Sequence, residues 1–430
     1  MCAEFRAAAV LLLLALASVP AVSYDTRISQ DLDASAEETC SLYGVRKDNP
    51  LNDENFQERP SVEQLFTGEA RWLARFGRRV SVLADGIMDW TQYSGTAGGT
   101  GPEQGETDLR LHELLFTLDI SEVFLKFRLG KTCFSWGPAV LFPVVDYIKD
   151  GLLEEDSQYD GKWLAGFSFQ KGFAGFDAVF SPGSSFLKRT LHLHEAYSPH
   201  SQDGADWFAL ARAGCTLGVH RFGLLYNFNG SSRFGAYYSG QTGDEWVPYA
   251  ECSFSNRSQL RGDALRSFAG KDDGFSFDGL VGAHYTPSFA NLSVFAEYRF
   301  KSSGLSGSDC TAVRQNAQRM KQRSLGMYYE ESGLLCGSFP YMASPVHTAG
   351  VRLQNASPVA DCIDCGVNVF YLAPKGLYVE AQGDITVIER LKLSLNGRML
   401  LSPEDGSELN FHGNLWEVRL SCQWTVHAAE

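Results

Sequence analysis

Alternation with a period of two is the feature that most limits what this chain can fold into. In Val123–Leu129 the residues Val123, Leu125, Phe127 and Leu129 point one way, while Lys126 and Arg128 point the other. Trp416, Val418, Leu420, Cys422, Trp424 and Val426 share a face near the end of the chain, opposite Glu417, Arg419, Ser421 and Gln423. Successive side chains of a β-strand project to opposite faces, so each stretch is a strand with one apolar and one charged face. Similar faces recur at 80–84, 114–120, 163–169, 174–180, 222–228, 275–285, 292–300, 349–353, 367–371 and 391–395. No amphipathic helix longer than two or three turns stands out between them. The expectation is an all-β protein.

The apolar faces need either a protein core or lipid, and the start of the chain bears on which. Residues 1–23 read as a secretory leader: Arg6, an apolar run from Ala7 to Ala17, and Ala21-Val22-Ser23 as a cleavage site. That run is shorter than a spanning helix needs, and no longer one follows. Only helices and closed barrels satisfy the backbone in a bilayer, so an exported chain of this kind spans as strands or stays in water. Short turns (Lys171-Gly172, Asn229-Gly230) alternate with long polar loops (94–107, 301–323), and aromatic residues sit near strand ends at Trp163, Phe180, Tyr298, Phe300 and Trp424. Both patterns suit a membrane barrel with two rims and two aromatic girdles. In the strands at 123–129, 291–301 and 416–426 the charges avoid the apolar face, which lipid requires and which a β-sandwich also shows. The reading is an antiparallel transmembrane β-barrel of about 14–16 strands, each of roughly 9–11 residues. It occupies 67–430 and follows a polar, acidic segment at 24–66. That segment is expected as a cap or plug, with Ser61-Val62-Glu63-Gln64 opening a short helix.

Directly after the first strand described, Trp136-Gly137-Pro138 is followed by Pro143 and Asp146. Two prolines so close cannot continue a central strand, because neither has an N–H for the ladder. One reading of Trp136, Gly137 and Pro143 is a structural turn that shapes a rim. The other is an inward-folded constriction in which Asp146 opposes Lys126 and Arg128, since opposed charges across a narrow lumen set solute preference. The lumen-facing candidates are Lys126, Arg128, Asp146, Glu297, Arg299, Glu417 and Arg419.

Other chemistries find little support. The net charge is −14, which leaves no basic stripe for nucleic acid. No GxSxG, HExxH or GxxxxGK[ST] signature occurs, and no enzymatic activity or cofactor is expected. His192 and His194 have ligand spacing without a third ligand nearby, so no metal site is expected. Glu154 and Glu155 read as a solvated acidic rim. Of the ten cysteines Cys2 lies in the leader, and the remaining nine cannot all pair within one chain. Cys362-Ile363-Asp364-Cys365 reads as a loop disulfide or two structural thiols, with no βαβ context for redox exchange.

Arg128-Leu129-Gly130-Lys131, then Trp136-Gly137, then Pro143 and Asp146, resembles a signature of bacterial outer-membrane porin-like barrels. The chain as a whole, rich in Phe and Gly with long loops, resembles spirochaete (treponemal) outer-membrane proteins. The resemblance implies a barrel in the outer membrane, contacting its lipid and passing small solutes passively. It also implies insertion by the barrel-assembly machinery and surface loops able to meet host ligands. Such barrels end on an aromatic residue, whereas Trp424 is followed by six more residues, Thr425 to Glu430. Two alternatives remain: a FadL-like transporter of hydrophobic solutes, with 24–66 as its plug, and a secreted or surface β-protein acting as an adhesin.

Overall fold

The computed structural model describes residues 28–45, 62–77, 79–94, 104–132, 136–145, 162–182, 207–229, 231–256, 274–288, 291–325, 346–356, 362–373, 376–388, 390–401 and 414–429. Eighteen strands form one antiparallel sheet. They are β1 (Ile28–Val45), β2 (Val62–Phe76), β3 (Val80–Ser94), β4 (Gln104–Ile120), β5 (Leu125–Thr132), β6 (Lys162–Lys171), β7 (Ala174–Ser181), β8 (Phe208–Leu217) and β9 (His220–Phe228). Then follow β10 (Ser232–Gly240), β11 (Trp246–Ser255), β12 (Ser276–Tyr285), β13 (Leu292–Lys301), β14 (His347–Ala356), β15 (Ile363–Leu372), β16 (Gly376–Ile388), β17 (Leu391–Leu401) and β18 (Asn414–Ala429). Each strand pairs with its sequence neighbours, and β1 pairs with both β2 and β18, from Asp31 opposite Ala429 to Gly44 opposite Trp416. The sheet is therefore closed and has no edge to template aggregation.

Closure makes the alternation a division between outside and inside. The outward register carries large apolar side chains that stay exposed around the circumference: Trp72, Phe116, Leu129, Phe167, Leu224, Phe254, Val281, Val351, Leu395 and Leu420 are among them. So much contiguous exposed apolar surface is unsustainable in water and is what a bilayer covers. Glu38 of β1 is an exception, an exposed carboxylate on that register. The inward register is polar, with Asp85, Thr117, Ser253, Asp278, Glu297, Thr348 and Glu417 buried against neighbours within the barrel.

Several expectations need correction. There are eighteen strands rather than about 14–16. The difference begins in 24–66, where residues 28–45 form β1 of the wall instead of belonging to a plug. Acidic residues on its inward register (Asp31, Asp33, Glu37) disguise its alternation as a polar loop. Val62-Glu63-Gln64 begins β2 and not a helix. A helix appears instead at Gly307–Arg323, labelled α1, within the stretch read as a long polar loop. Ser306 caps it: Asp309 N–H donates to Ser306 Oγ, and Asp309 Oδ2 accepts from the Ser306 N–H. That Ser-x-x-Asp capping box was the available signal. The connections after β6 and β9 lie on opposite rims, since one follows an even-numbered strand and the other an odd-numbered one. The former rim has short connections, with Gly77, Gly172 and Gly218 in left-handed turn conformations. The other rim carries the longest ones.

The described cysteines (Cys40, Cys215, Cys252, Cys310, Cys362, Cys365 and Cys422) are thiols rather than halves of disulfides. Cys362 and Cys365 are two exposed thiols, not a loop disulfide. Cys40, Cys215, Cys252, Cys365 and Cys422 fall on the outward register, where a thiol serves as a small apolar side chain. Cys133, Cys336, His192, His194, Glu154 and Glu155 lie outside the described residues, as do residues 1–27.

The two faces make opposite predictions for a cation. Leu395→Arg, outward on β17, is expected to destabilise the barrel by about 2–4 kcal/mol if it sits at mid-bilayer. Ser394→Arg, one residue away and inward, is expected to cost far less. Urea unfolding of the two variants in lipid vesicles measures the difference.

Candidate functional site

The site is built by the chain between β5 and β6, on the long-loop rim. Near the end of β5, Gly130 has φ +140°, and a Cβ there would lie 1.8 Å from the Leu114 carbonyl oxygen. Only glycine fits such an approach. Residues 136–145 then lie inside the barrel, reaching from β5 across to β9, β11–β13 and β15–β16.

Residues buried from water need partners for their peptide N–H groups, and this segment has no strand beside it to supply them. Two carboxylates do so instead. Glu251 of β11 accepts from Ala139 N–H through Oε1 (2.8 Å), and from Val144 and Val145 N–H through Oε2 (2.7 and 3.0 Å). Glu297 of β13 accepts from Val140 (2.7 Å), from Leu141 (3.1 Å to each oxygen) and from Phe142 (2.8 Å). Between 139 and 145 every residue with an N–H donates it to one of these carboxylates, and the remaining residue is Pro143, which has none. Hydrogen bonds to charged acceptors contribute roughly 1.5–3 kcal/mol each, so the two side chains are the main polar anchors of the segment. Tyr249 steadies Glu297 by donating its hydroxyl to Oε1 at 2.6 Å. Gly137, at φ +108°, brings the backbone close to Glu251, since a Cβ there would lie 2.4 Å from Oε1.

Side chains complete the attachment. Leu141, Phe142, Val144 and Val145 are buried with Leu225, Tyr249, Leu280, Phe370, Leu372 and Tyr378, an apolar cluster inside an otherwise polar lumen. Phe142 meets Phe370 edge-on, with centroids 5.5 Å apart. Gly350 makes the room: a Cβ there would come within 2.8 Å of Phe142 and 2.6 Å of Phe370. Trp136 packs against both this cluster and a second one of Leu164, Val179 and Leu210. The Arg212 guanidinium lies over its ring at 4.9 Å and is held by Asp177 at 2.9 and 2.7 Å.

The remaining candidates distribute around the wall. Lys126 and Arg128 are on the inward register of β5, and Arg128 donates to Ser168 Oγ at 3.3 Å. Arg299 forks onto Asp278, with Nε at 2.9 and 3.1 Å from the two carboxylate oxygens. Glu417 takes Arg398 at 2.7 Å and Arg419 at 3.3 Å. Nearby, Arg352 donates to Asn368, and Glu380 accepts from both Asn368 and Asn396. Asp146 lies outside the described residues. Trp136, Gly137, Pro143 and Glu297 come together in one place, whereas Lys126, Arg128, Glu417 and Arg419 sit on other parts of the lumen. The alternation missed Glu251, Tyr249, Phe142, Phe370 and Gly350. An inward Tyr and Glu at alternate positions of β11 was the one local sign.

With this geometry in view, comparisons with known proteins place the fold. No family model matches the chain, and no curated protein matches it in sequence. Solved structures do match. Pseudomonas aeruginosa OccK5 (OpdH) aligns with a TM-score of 0.53 at 9% identity, over 93% of this chain and 98% of its own. A BenF-like porin from Pseudomonas fluorescens Pf-5 aligns at 0.52 and 10% identity, over 94% and 100%. P. aeruginosa OpdK, in a structure with vanillate, aligns at 0.51 and 12% identity, over 93% and 99%. The chain has the fold of these barrels over nearly its whole length.

Removing an anchor tests the assignment of roles. Glu297→Ala leaves the N–H groups of Val140, Leu141 and Phe142 without their acceptor. Hydrogen exchange at these amides is expected to accelerate by orders of magnitude while the strands stay protected. Glu297→Asp, too short to reach, is expected to do the same.

Proposed function

We propose that the protein is an outer-membrane porin-like channel that passes small solutes passively and has no enzymatic activity. The observation that carries this reading is the segment 136–145, which enters a closed, polar-lined barrel and narrows it without being part of the wall. Fixing a constriction by backbone hydrogen bonds to two wall carboxylates gives a defined aperture, which a sieve needs and an adhesin does not. The outer face supports a bilayer location. The similarity to OccK5, OpdK and the BenF-like porin supports the outer membrane in particular, as does the leader read in residues 1–23. Assembly in that membrane would engage the barrel-assembly machinery, and the long-loop rim is where host ligands would be met.

The FadL-like alternative depended on a plug in 24–66, and residues 28–45 of that segment are in the wall.

Planar-bilayer recording of the refolded protein is the direct test. The expected result is a stable conductance that increases when Glu251 and Glu297 are both changed to Ala, because the anchored segment is released. Heat-modifiable gel mobility confirms that each sample is a folded barrel. A folded barrel without conductance would overturn the channel reading.

A further inference from the structure

The N–H groups of the inward segment are spent on the wall, and this fixes where its carbonyl oxygens point. A trans peptide unit is planar, with its C=O directed opposite to its N–H. The N–H groups of Ala139, Val140, Leu141, Phe142, Val144 and Val145 are aimed at Glu251 and Glu297. The carbonyl oxygens of the residues before them, Pro138, Ala139, Val140, Leu141, Pro143 and Val144, therefore point away from those wall carboxylates. Among the described residues, nothing donates to a carbonyl oxygen of 137–145.

Backbone acceptors inside a protein need partners, so water or a solute has to supply the donors here. Four of the six oxygens belong to residues open to the lumen: Val140 is 41% exposed, and Pro138, Ala139 and Pro143 are half-buried. Leu141 and Val144 are buried in the apolar cluster. None of the four open residues has a polar side chain, so the carbonyl is the polar group each offers to a passing solute. Successive N–H groups converging on one point form an anion-binding concavity. In this segment the protein's own Glu251 and Glu297 fill that concavity, and no N–H of 139–145 is left for an anion in the lumen. The open edge is thus made of acceptors, each the negative end of a peptide dipole.

We propose that this edge is a recognition site for solutes bearing a primary ammonium group, held by the carbonyl oxygens of Pro138, Ala139, Val140 and Pro143. An ammonium group has three donors, no acceptor and a positive charge, so it can bridge several carbonyls at once. Carbonyl oxygens lining a passage take the place of the water a cation sheds on entering it. The apolar side chains of Pro138 and Val140 beside them suit the alkyl part of an organic amine. A carboxylate finds no donor on this edge, and a quaternary ammonium brings the charge without a donor. The site reads hydrogen-bond donors, and not charge alone.

This inference rests on the channel reading, and one experiment separates the two. The probes are n-butylammonium and tetramethylammonium, isomeric cations of equal charge that differ in having N–H donors. Each is added in turn to potassium chloride bathing a planar bilayer that contains the refolded full chain. Butylammonium is expected to block the current at a concentration at least about tenfold lower than tetramethylammonium does, the effect of one charge-assisted hydrogen bond. That ratio is expected to fall toward one in the combined Glu251→Ala, Glu297→Ala variant, whose released segment no longer aims its carbonyls. It is expected to fall likewise in Val140→Lys, which keeps both anchors and supplies a tethered ammonium to fill the site. If the double variant fails the heat-modifiability check for folding, Val140→Lys decides. Equal block by the two cations, block by neither, or a preference that survives in either folded variant overturns the inference while leaving the channel intact. A folded barrel that conducts nothing overturns both.

Discussion

Two carboxylates accepting six peptide N–H groups are the interaction on which the interior of this molecule depends. A stretch of chain that leaves a strand and enters a lumen carries its unpaired backbone with it. Satisfying that backbone piecemeal would need a second sheet or several side chains. Here Glu251 and Glu297 each take the N–H groups of three residues, and Pro143 falls where no donor is required. The apolar side chains of the same residues can then pack on Leu225, Leu280, Phe370 and Leu372. Polar satisfaction and apolar packing are mutually dependent, because the cluster excludes the water that would compete for the carboxylates.

The wall is organised by a different constraint. A closed sheet has no edge, so every strand contributes one face to the membrane and one to the lumen. Free cysteines on the outward register and carboxylates on the inward one are two results of the same rule. Inside the lumen, arginines on β13, β17 and β18 are paired with Asp278 and Glu417, Arg75 of β2 is paired with Asp31 of β1, and hydroxyls donate to Glu63, Asp89 and Glu113. The strands also differ in length: β1–β4 and β18 run to 15–18 residues, while most others have 8–11.

The wall was legible where the apolar face was strong. β5, β13 and β18 announce themselves because no charge interrupts one register. β1 was not legible as a strand. Its inward Asp31, Asp33 and Glu37 stand among small outward residues such as Ala34 and Ala36, so its mean character is that of a loop. Helix α1 was missed for the complementary reason: its buried residues Cys310, Val313 and Ala317 make too small an apolar face to show in the pattern. Trp136, Gly137 and Pro143 were visible as an interruption, although whether they shaped a rim or entered the lumen was open. Glu297 was visible as an inward charge, without any sign of what it would hold.

The sequence by itself determined an all-β protein, because a period of two with charges kept to one register is what strands with one apolar and one polar face require. It also determined that the chain between β5 and β6 breaks from the wall, because two prolines cannot donate to a ladder. Only the tertiary structure decided where that break goes. The residues it needs, Glu251 and Glu297, lie 106–157 positions away along the chain. Gly350, which clears the space for Phe142, lies farther still, on β14. Curvature of an eighteen-strand sheet brings these positions to one side of a lumen. No local pattern of propensity or hydropathy encodes such a meeting, which arises from closure of the barrel as a whole.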